Sequence, residues 1–251
     1  MFDVSFIPAF KDNYIWLLTL GKRAVVVDPG DAAPVLARLD ADGLTLEGIL
    51  ITHHHADHQG GVAELSARGP VRVHAPGNES ITGCTHPLYG GEVIDILGQP
   101  VTVMAVPGHT LGHLAYRAEG ALFCGDTLFG AGCGRLFEGS HAQMADSLDR
   151  IAALPESTQI YCAHEYTEMN LRFALAVEPD NVALQARVAQ VASLRAAGLP
   201  SVPSSLGEEK ATNPFLRCSE PAVIEAALQH GAAARDRVSV FAAIRGWRNG
   251  F

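Results

Sequence analysis

The chain has 251 residues, 48% of them apolar, with a mean hydropathy of +0.14, and its 18 basic against 27 acidic side chains leave a net charge of −9. A chain of this length can bury roughly three quarters of its unfolded surface, so it needs no disulfide or structural zinc merely to fold. The apolar fraction excludes disorder, the lack of any long apolar run excludes a membrane-spanning helix, and the acidic balance argues against a general grip on nucleic acid.

In chain order, 13–20 and 24–27 read as a hairpin turned at Gly21-Lys22 and ended by the turn signal Asp28-Pro29-Gly30. Residues 31–42 carry Val35, Leu36 and Leu39 at the spacing of an amphipathic helix. Short apolar runs at 49–52, 71–75, 93–97, 101–106, 114–118, 121–124 and 159–162 predict further strands, with helices over 61–67 and 142–153. After Glu165 the pattern changes. Residues 171–177 and 181–197 are rich in Ala, Leu and Val at helical period, 198–206 is a loop of Pro, Ser and Gly, and 221–231 and 232–247 are helical again. The reading is a mixed α/β (α+β) body over 1–165 followed by a small all-helical domain over 166–251, with no internal repeat.

Five cysteines, Cys84, Cys124, Cys133, Cys162 and Cys218, are scattered without a CxxC pair, and the first residues form neither a basic secretory leader nor an Arg-rich amphipathic one. Both features point to free thiols in a reducing compartment, so the expected location is the cytoplasm. Cys124 and Cys162 lie within apolar strand runs and read as core thiols rather than nucleophiles.

The densest chemical signal is Ile49-Leu50-Ile51-Thr52-His53-His54-His55-Ala56-Asp57-His58, in which a buried strand runs into four histidines and an aspartate within six positions. Imidazole and carboxylate are ligands of divalent first-row ions such as zinc and ferrous iron. In an extended segment alternate side chains share a side, so His53, His55 and Asp57 are expected to converge beside His58. The same punctuation recurs three times. Strand 101–106 leads to His109, strand 121–124 to Asp126, and strand 159–162 to His164. Seven donors are too many for one tetrahedral ion and suit two ions sharing a carboxylate.

These residues resemble a family. Thr-His-x-His-x-Asp-His, Gly-His-Thr, Gly-Asp-Thr and a late His are similar to the metallo-β-lactamase superfamily. Phe-Cys-Gly-Asp-Thr-Leu-Phe, Ala-Gly-Cys-Gly-Arg, Phe-Glu-Gly and Ala-His-Glu-Tyr-Thr before a helical tail resemble, more narrowly, glyoxalase II, the hydroxyacylglutathione hydrolases. The resemblance implies an αββα sandwich with a metal site at one edge and a C-terminal helical domain that helps bind glutathione. By motif position, His53, His55 and His109 would hold the first ion, Asp57, His58 and His164 the second, and Asp126 would bridge them. The ions implied are zinc first, with iron or manganese as alternatives. His54 is not a ligand in this family, and His113 reads as a structural hydrogen-bond former. His74, His86, His141 and His230 have no convergent partners in the sequence and read as surface or packing residues.

The implied reaction is hydrolysis of S-lactoylglutathione to glutathione and lactate by a metal-bridging hydroxide, with Asp57 and Asp126 in catalytic roles. A thiolate can leave without a strong general acid, and no GxSxG elbow is present. For the substrate, the resemblance implies binding roles for Arg135, which stands where the family has Lys or Arg, and for Tyr166, which matches its glutathione-contacting Tyr. It implies the same for Arg245 and Arg248, which match a basic pair near its C-terminus, while Phe137 stands where many relatives have Tyr. The partner expected is thus a small glutathione thioester met by a monomer, with neither nucleic acid nor membrane involved. Three competing readings are a mononuclear-iron persulfide dioxygenase, a nuclease or lactonase on the same scaffold, and a metal-binding protein without catalysis. The complete second ligand set and the cationic tail weigh against the dioxygenase, the acidic net charge against the nuclease, and the cationic positions against the lactonase. The full ligand set with an apparent substrate pocket weighs against a protein without catalysis.

Overall fold

Residues 13–27 fold back on themselves because two nearly continuous apolar runs flank a glycine turn, and the segment before them adds a third strand. In the computed structural model, which describes residues 2–251, the chain forms two compact units. One holds everything up to Val106 together with Thr110–Gly125, and the other holds Pro107–His109 with Asp126–Phe251.

In the first unit β1 (Asp3–Ala9), β2 (Asn13–Leu20) and β3 (Arg23–Val27) pair antiparallel. Helix α1 (Ala32–Asp42) then crosses over to β4 (Thr45–Leu50), which pairs parallel with β3. Asp31 caps α1 by accepting from the Ala33 N–H, and Gly43 ends it in the left-handed region at φ 61°. One-turn helix α2 (Ala56–Gln59) and α3 (Val62–Ser66) lead to β5 (Arg72–Pro76) and β6 (His86–Leu88), both parallel additions. The sheet order is therefore β1-β2-β3-β4-β5-β6. Its helix-facing side is a dry core in which Ile15, Leu17, Val26, Ile49, Ile51 and Val73 meet Val35, Val62 and Leu65.

A second layer is the antiparallel meander of β7 (Val93–Ile96), β8 (Gln99–Ala105), β9 (Leu114–Ala118) and β10 (Ala121–Gly125). Tyr116, fully buried in β9, reaches the first sheet by donating its hydroxyl to the Ile51 carbonyl at 2.7 Å. Parallel strands β3 and β4 deliver Asp28 and the 52–58 segment to one end of this sandwich, where open α/β sheets place their ligands.

The second unit begins with the short hairpin of β11 (Leu128–Phe129) and β12 (Gly132–Cys133), then α4 (His141–Ala152). A capping box between Ser140 and Gln143 starts α4. Strand β13 (Gln159–Cys162) pairs with the two residues of β14 (Ser204–Ser205), between which lie α5 (Thr167–Val177) and α6 (Val182–Ala196). Helices α7 (Leu206–Thr212), α8 (Pro221–Gln229) and α9 (Arg237–Gly250) follow. Leu171, Ala174, Leu184 and Val191 pack α5 on α6, and Phe173, Phe215 and Phe241 form an aromatic core with centroids 5.8 to 6.1 Å apart. Among the described residues, no helix is long and apolar enough to cross a membrane.

The last helix starts five residues later than its apolar pattern suggested. Asp236 accepts from the Val238 and Ser239 N–H groups and so fixes the first turn at Arg237. Strands β1, β6, β11, β12 and β14 and helices α2 and α7 are additions to the elements read from the sequence.

His74 on β5 is buried, and burial first, then the neighbouring His86 and Arg72 charges, push it down to about 4. The unfolded chain takes up this proton near pH 6.5. Between about 6.5 and 4 the unfolded state therefore binds more protons, and stability falls as pH falls through that window. In thermal melts, His74→Leu should show a shallower loss of Tm than wild type between pH 6.5 and 4.

Candidate metal centre

The first unit holds one group of candidate donors. After β4, the backbone passes Thr52, bends at His53, is extended at His55 and then enters the single turn of α2 at Ala56. His53 Nε2 lies 3.0 Å from His55 Nδ1, and Asp57 Oδ2 lies 3.5 Å from His58 Nε2. Helix α2 begins at Ala56, so Asp57 lies in a helical turn rather than in an extended run, and it stands beside His58.

Asp28 organises this group. Left-handed at φ 52°, it sits just past β3, and its Oδ1 accepts from the Thr52 N–H at 2.8 Å. Its Oδ2 accepts from the Thr52 hydroxyl at 2.7 Å and from His58 Nδ1 at 3.0 Å. A carboxylate can only accept, so the His58 proton sits on Nδ1 and Nε2 carries the lone pair. The Thr52 hydroxyl, having donated to Asp28, accepts from His53 Nδ1 at 3.0 Å and fixes the same tautomer there. Gly30 completes the arrangement, because a Cβ there would overlap the Asp57 carbonyl.

The second unit holds another group of candidate donors. His109 Nδ1 donates to the Arg135 carbonyl at 2.7 Å, which again leaves Nε2 as the lone-pair nitrogen. Asp126 is buried and splits its carboxylate, with Oδ2 3.4 Å from His109 Nε2 and Oδ1 3.4 Å from His164 Nε2. Glycine is required at 134, where a Cβ would collide with the Asp126 carbonyl. His164 stacks on Tyr166 with centroids 4.8 Å apart, and Phe137 sets its edge on His109 at 5.2 Å.

The donor chemistry fits a divalent metal. Histidines that present Nε2 while Nδ1–H is held by a carboxylate, hydroxyl or carbonyl are the arrangement that metal-ligating imidazoles adopt. His and Asp donors here gather in groups whose ligand atoms could hold an ion. His54 is half-buried with its ring edge-on to His55, and His113 is fully buried and stacked on His53 at 4.7 Å.

In the second unit a cavity of about 380 Å³ is lined by Phe129, Cys133, Arg135, Tyr166, Met169, Asn170, Arg245, Arg248 and Asn249. It has three arginines and no carboxylate. Arg248 donates to Asn170 Oδ1 at 3.3 Å, and burial, followed by the Arg245 charge, lowers its pKa. Arg245 is more deeply set, donating to the Cys133 carbonyl at 3.0 Å and to Asn249 Oδ1 at 2.9 Å. Arg135 and Phe137 are exposed, the guanidinium 5.7 Å from the ring centroid. Burial pushes the Cys162 thiol up to about 12 and raises that of Cys133 as well, so neither serves as a thiolate nucleophile.

Residues 10–164 match the model of the metallo-β-lactamase superfamily, and 165–251 match that of the hydroxyacylglutathione hydrolase C-terminus. Across the whole of both chains, the sequence is 75% identical to a hydroxyacylglutathione hydrolase of Dechloromonas aromatica (strain RCB). This chain belongs to the hydroxyacylglutathione hydrolase family. A family member from Methylobacillus flagellatus is 56% identical, again over the full length of both chains. The fold is that of the metallo-β-lactamases, two mixed sheets with a C-terminal helical region. The crystal structure of ETHE1 from Myxococcus xanthus superposes with a TM-score of 0.67 over 99% of this chain and 98% of that one, at 23% identity.

Asp28, Thr52 and Asn13 escaped the sequence reading. For Asp28 the signal was present, since it follows an apolar strand just as His109, Asp126 and His164 do.

Proposed function

We propose that this chain hydrolyses S-(2-hydroxyacyl)glutathione thioesters, S-lactoylglutathione among them, to glutathione and the 2-hydroxy acid. His53, His55 and His109 would hold one divalent ion, Asp57, His58 and His164 a second, and Asp126 would bridge the two. The ions would be zinc, with iron or manganese as substitutes. The observation that carries this reading is the divided carboxylate of Asp126, one oxygen to each of two imidazoles. Family membership supports the substrate class.

Ions bound there supply an acidified water and a Lewis acid toward the thioester carbonyl. The rest is the work of side chains. Asp28 and the Arg135 carbonyl keep the imidazole protons on Nδ1. Arg248 and Arg135 meet the carboxylates of glutathione, whereas Arg245, tied to Cys133 and Asn249, contributes its charge to the cavity wall. Tyr166 joins that cavity to His164 through the stacked rings. Phe137 offers an apolar edge where a tyrosine would offer a hydroxyl, a difference of about 0.5–1.5 kcal/mol in one hydrogen bond. On this reading residues 1–165 carry the chemistry and 166–251 the glutathione arm, in a cytoplasmic monomer.

Thiol release from S-lactoylglutathione, followed after loading with zinc, iron or manganese, tests the proposal, and no release with any of the three would overturn it. Arg248→Ala should raise KM about 10- to 100-fold, the worth of one charge-assisted hydrogen bond, and leave kcat within about twofold. A fall in kcat at constant KM would remove Arg248 from the substrate site.

A further inference from the structure

Asn13 opens β2 directly after the β1–β2 turn and is only 8% exposed. Its Nδ2 donates to Asp57 Oδ2 at 3.0 Å and lies 3.4 Å from the Asp57 carbonyl oxygen, across 44 residues of sequence. Both oxygens can only accept, which fixes the amide with its NH2 group toward Asp57. Asp57 sits in the four-residue helix α2, and so short a helix has little rigidity of its own. Asn13, by contrast, opens an eight-residue strand, is itself paired with Ala9 of β1, and from Trp16 onward that strand is also paired with β3. The contact therefore ties a loosely supported carboxylate to the buried, paired start of a sheet strand. Gly30 locates the Asp57 backbone from the other side. A neutral amide is the right chemistry for this task. It restrains the carboxylate torsions while leaving the full negative charge, which an ammonium or guanidinium would partly neutralise.

We infer that Asn13 is a positioning residue that holds the Asp57 carboxylate in its ligating orientation through a neutral hydrogen bond. The inference rests on the reading of Asp57 as a ligand to one of two ions.

Two variants test it, Asn13→Ala and the isosteric Asn13→Asp. The readouts are ions bound per chain during titration with a chelator, Tm, and kcat with KM for thiol release. Wild type should hold two ions. Asn13→Ala should keep one and release the other at a chelator concentration about 10- to 100-fold lower, the range seen when a group orienting a metal ligand is lost. Its kcat should fall while KM stays within about twofold. Asn13→Asp should be worse than Asn13→Ala, because it sets a second carboxylate against Asp57. A residue that merely fills space would give the reverse order, and that order would overturn the inference. So would wild-type ion retention in either variant, and Asn13→Asp, which preserves shape, keeps the test decisive if Asn13→Ala fails to fold. A wild-type protein that holds one ion and is indifferent to Asp57→Ala would instead overturn the two-ion reading together with this inference.

Discussion

Asp126→Ala is expected to lower kcat/KM for thiol release by more than roughly two orders of magnitude and to reduce the ions bound per chain. Loss of a group that merely orients a ligand costs about 10- to 100-fold in affinity or activity, so loss of a carboxylate shared between two imidazoles should exceed that range. The structure shows why substitution by other residues should not compensate. Both oxygens of Asp126 are engaged, one toward His109 and one toward His164, in a buried position that bulk water reaches poorly. His109 and His164 remain anchored without it, the first by the Arg135 carbonyl and the second by stacking on Tyr166. The fold should therefore persist, with a circular dichroism spectrum close to wild type. Asp126→Asn, which keeps volume but removes the charge, should lie between the two. Full activity in Asp126→Ala with two ions still bound would refute the bridging role.

The donors could be read from the sequence because each follows a run of apolar residues too short for a helix and too hydrophobic for a loop. That punctuation singles out His109, Asp126 and His164 as candidate donors without any knowledge of where the strands lie in space. It applied equally to Asp28, whose neighbours Pro29 and Gly30 drew attention to the turn instead of to the carboxylate. Asn13 carries no comparable signal, since an asparagine at a strand start is most simply a turn residue. Its role depends on a contact 44 residues away. Strand β1 was hidden by Pro8, which demotes a segment as a strand but is tolerated here because β1 is the sheet edge. Helix α7 has no apolar period to detect. It is held instead by the Ser205 cap and by a glutamate that points inward, and inward-pointing charge cannot be told from outward-pointing charge in a string of letters.

That glutamate, Glu209, is the site of the largest expected loss of stability. It is fully buried, as is its partner Arg187 on α6, and their closest contact is 2.5 Å. Glu209 Oε1 also accepts from the Ser204 hydroxyl at 2.6 Å, while Oε2 accepts from the Ala131 N–H at 2.8 Å and from Asn213 Nδ2 at 3.0 Å. One carboxylate thereby joins α6, α7, β14 and the β11–β12 turn, where Ala131 takes a left-handed conformation at φ 52°. Glu209→Ala would leave the buried Arg187 guanidinium with only the Thr212 hydroxyl and the more distant, half-buried Glu208 carboxylate, and would leave the Ala131 N–H without Glu209, at a cost of up to about 3–5 kcal/mol. In a protein of this size that is a fall in Tm on the order of 10 °C, measurable by thermal or urea unfolding. Removing both charges should be less costly than the two single losses together, so Glu209→Ala with Arg187→Met should recover part of the deficit. Additive losses would mean that the two groups act separately. The turn that Glu209 supports runs on to Gly134 and Arg135, whose carbonyl holds His109, so Glu209→Ala should also lose bound metal at temperatures below its melting transition.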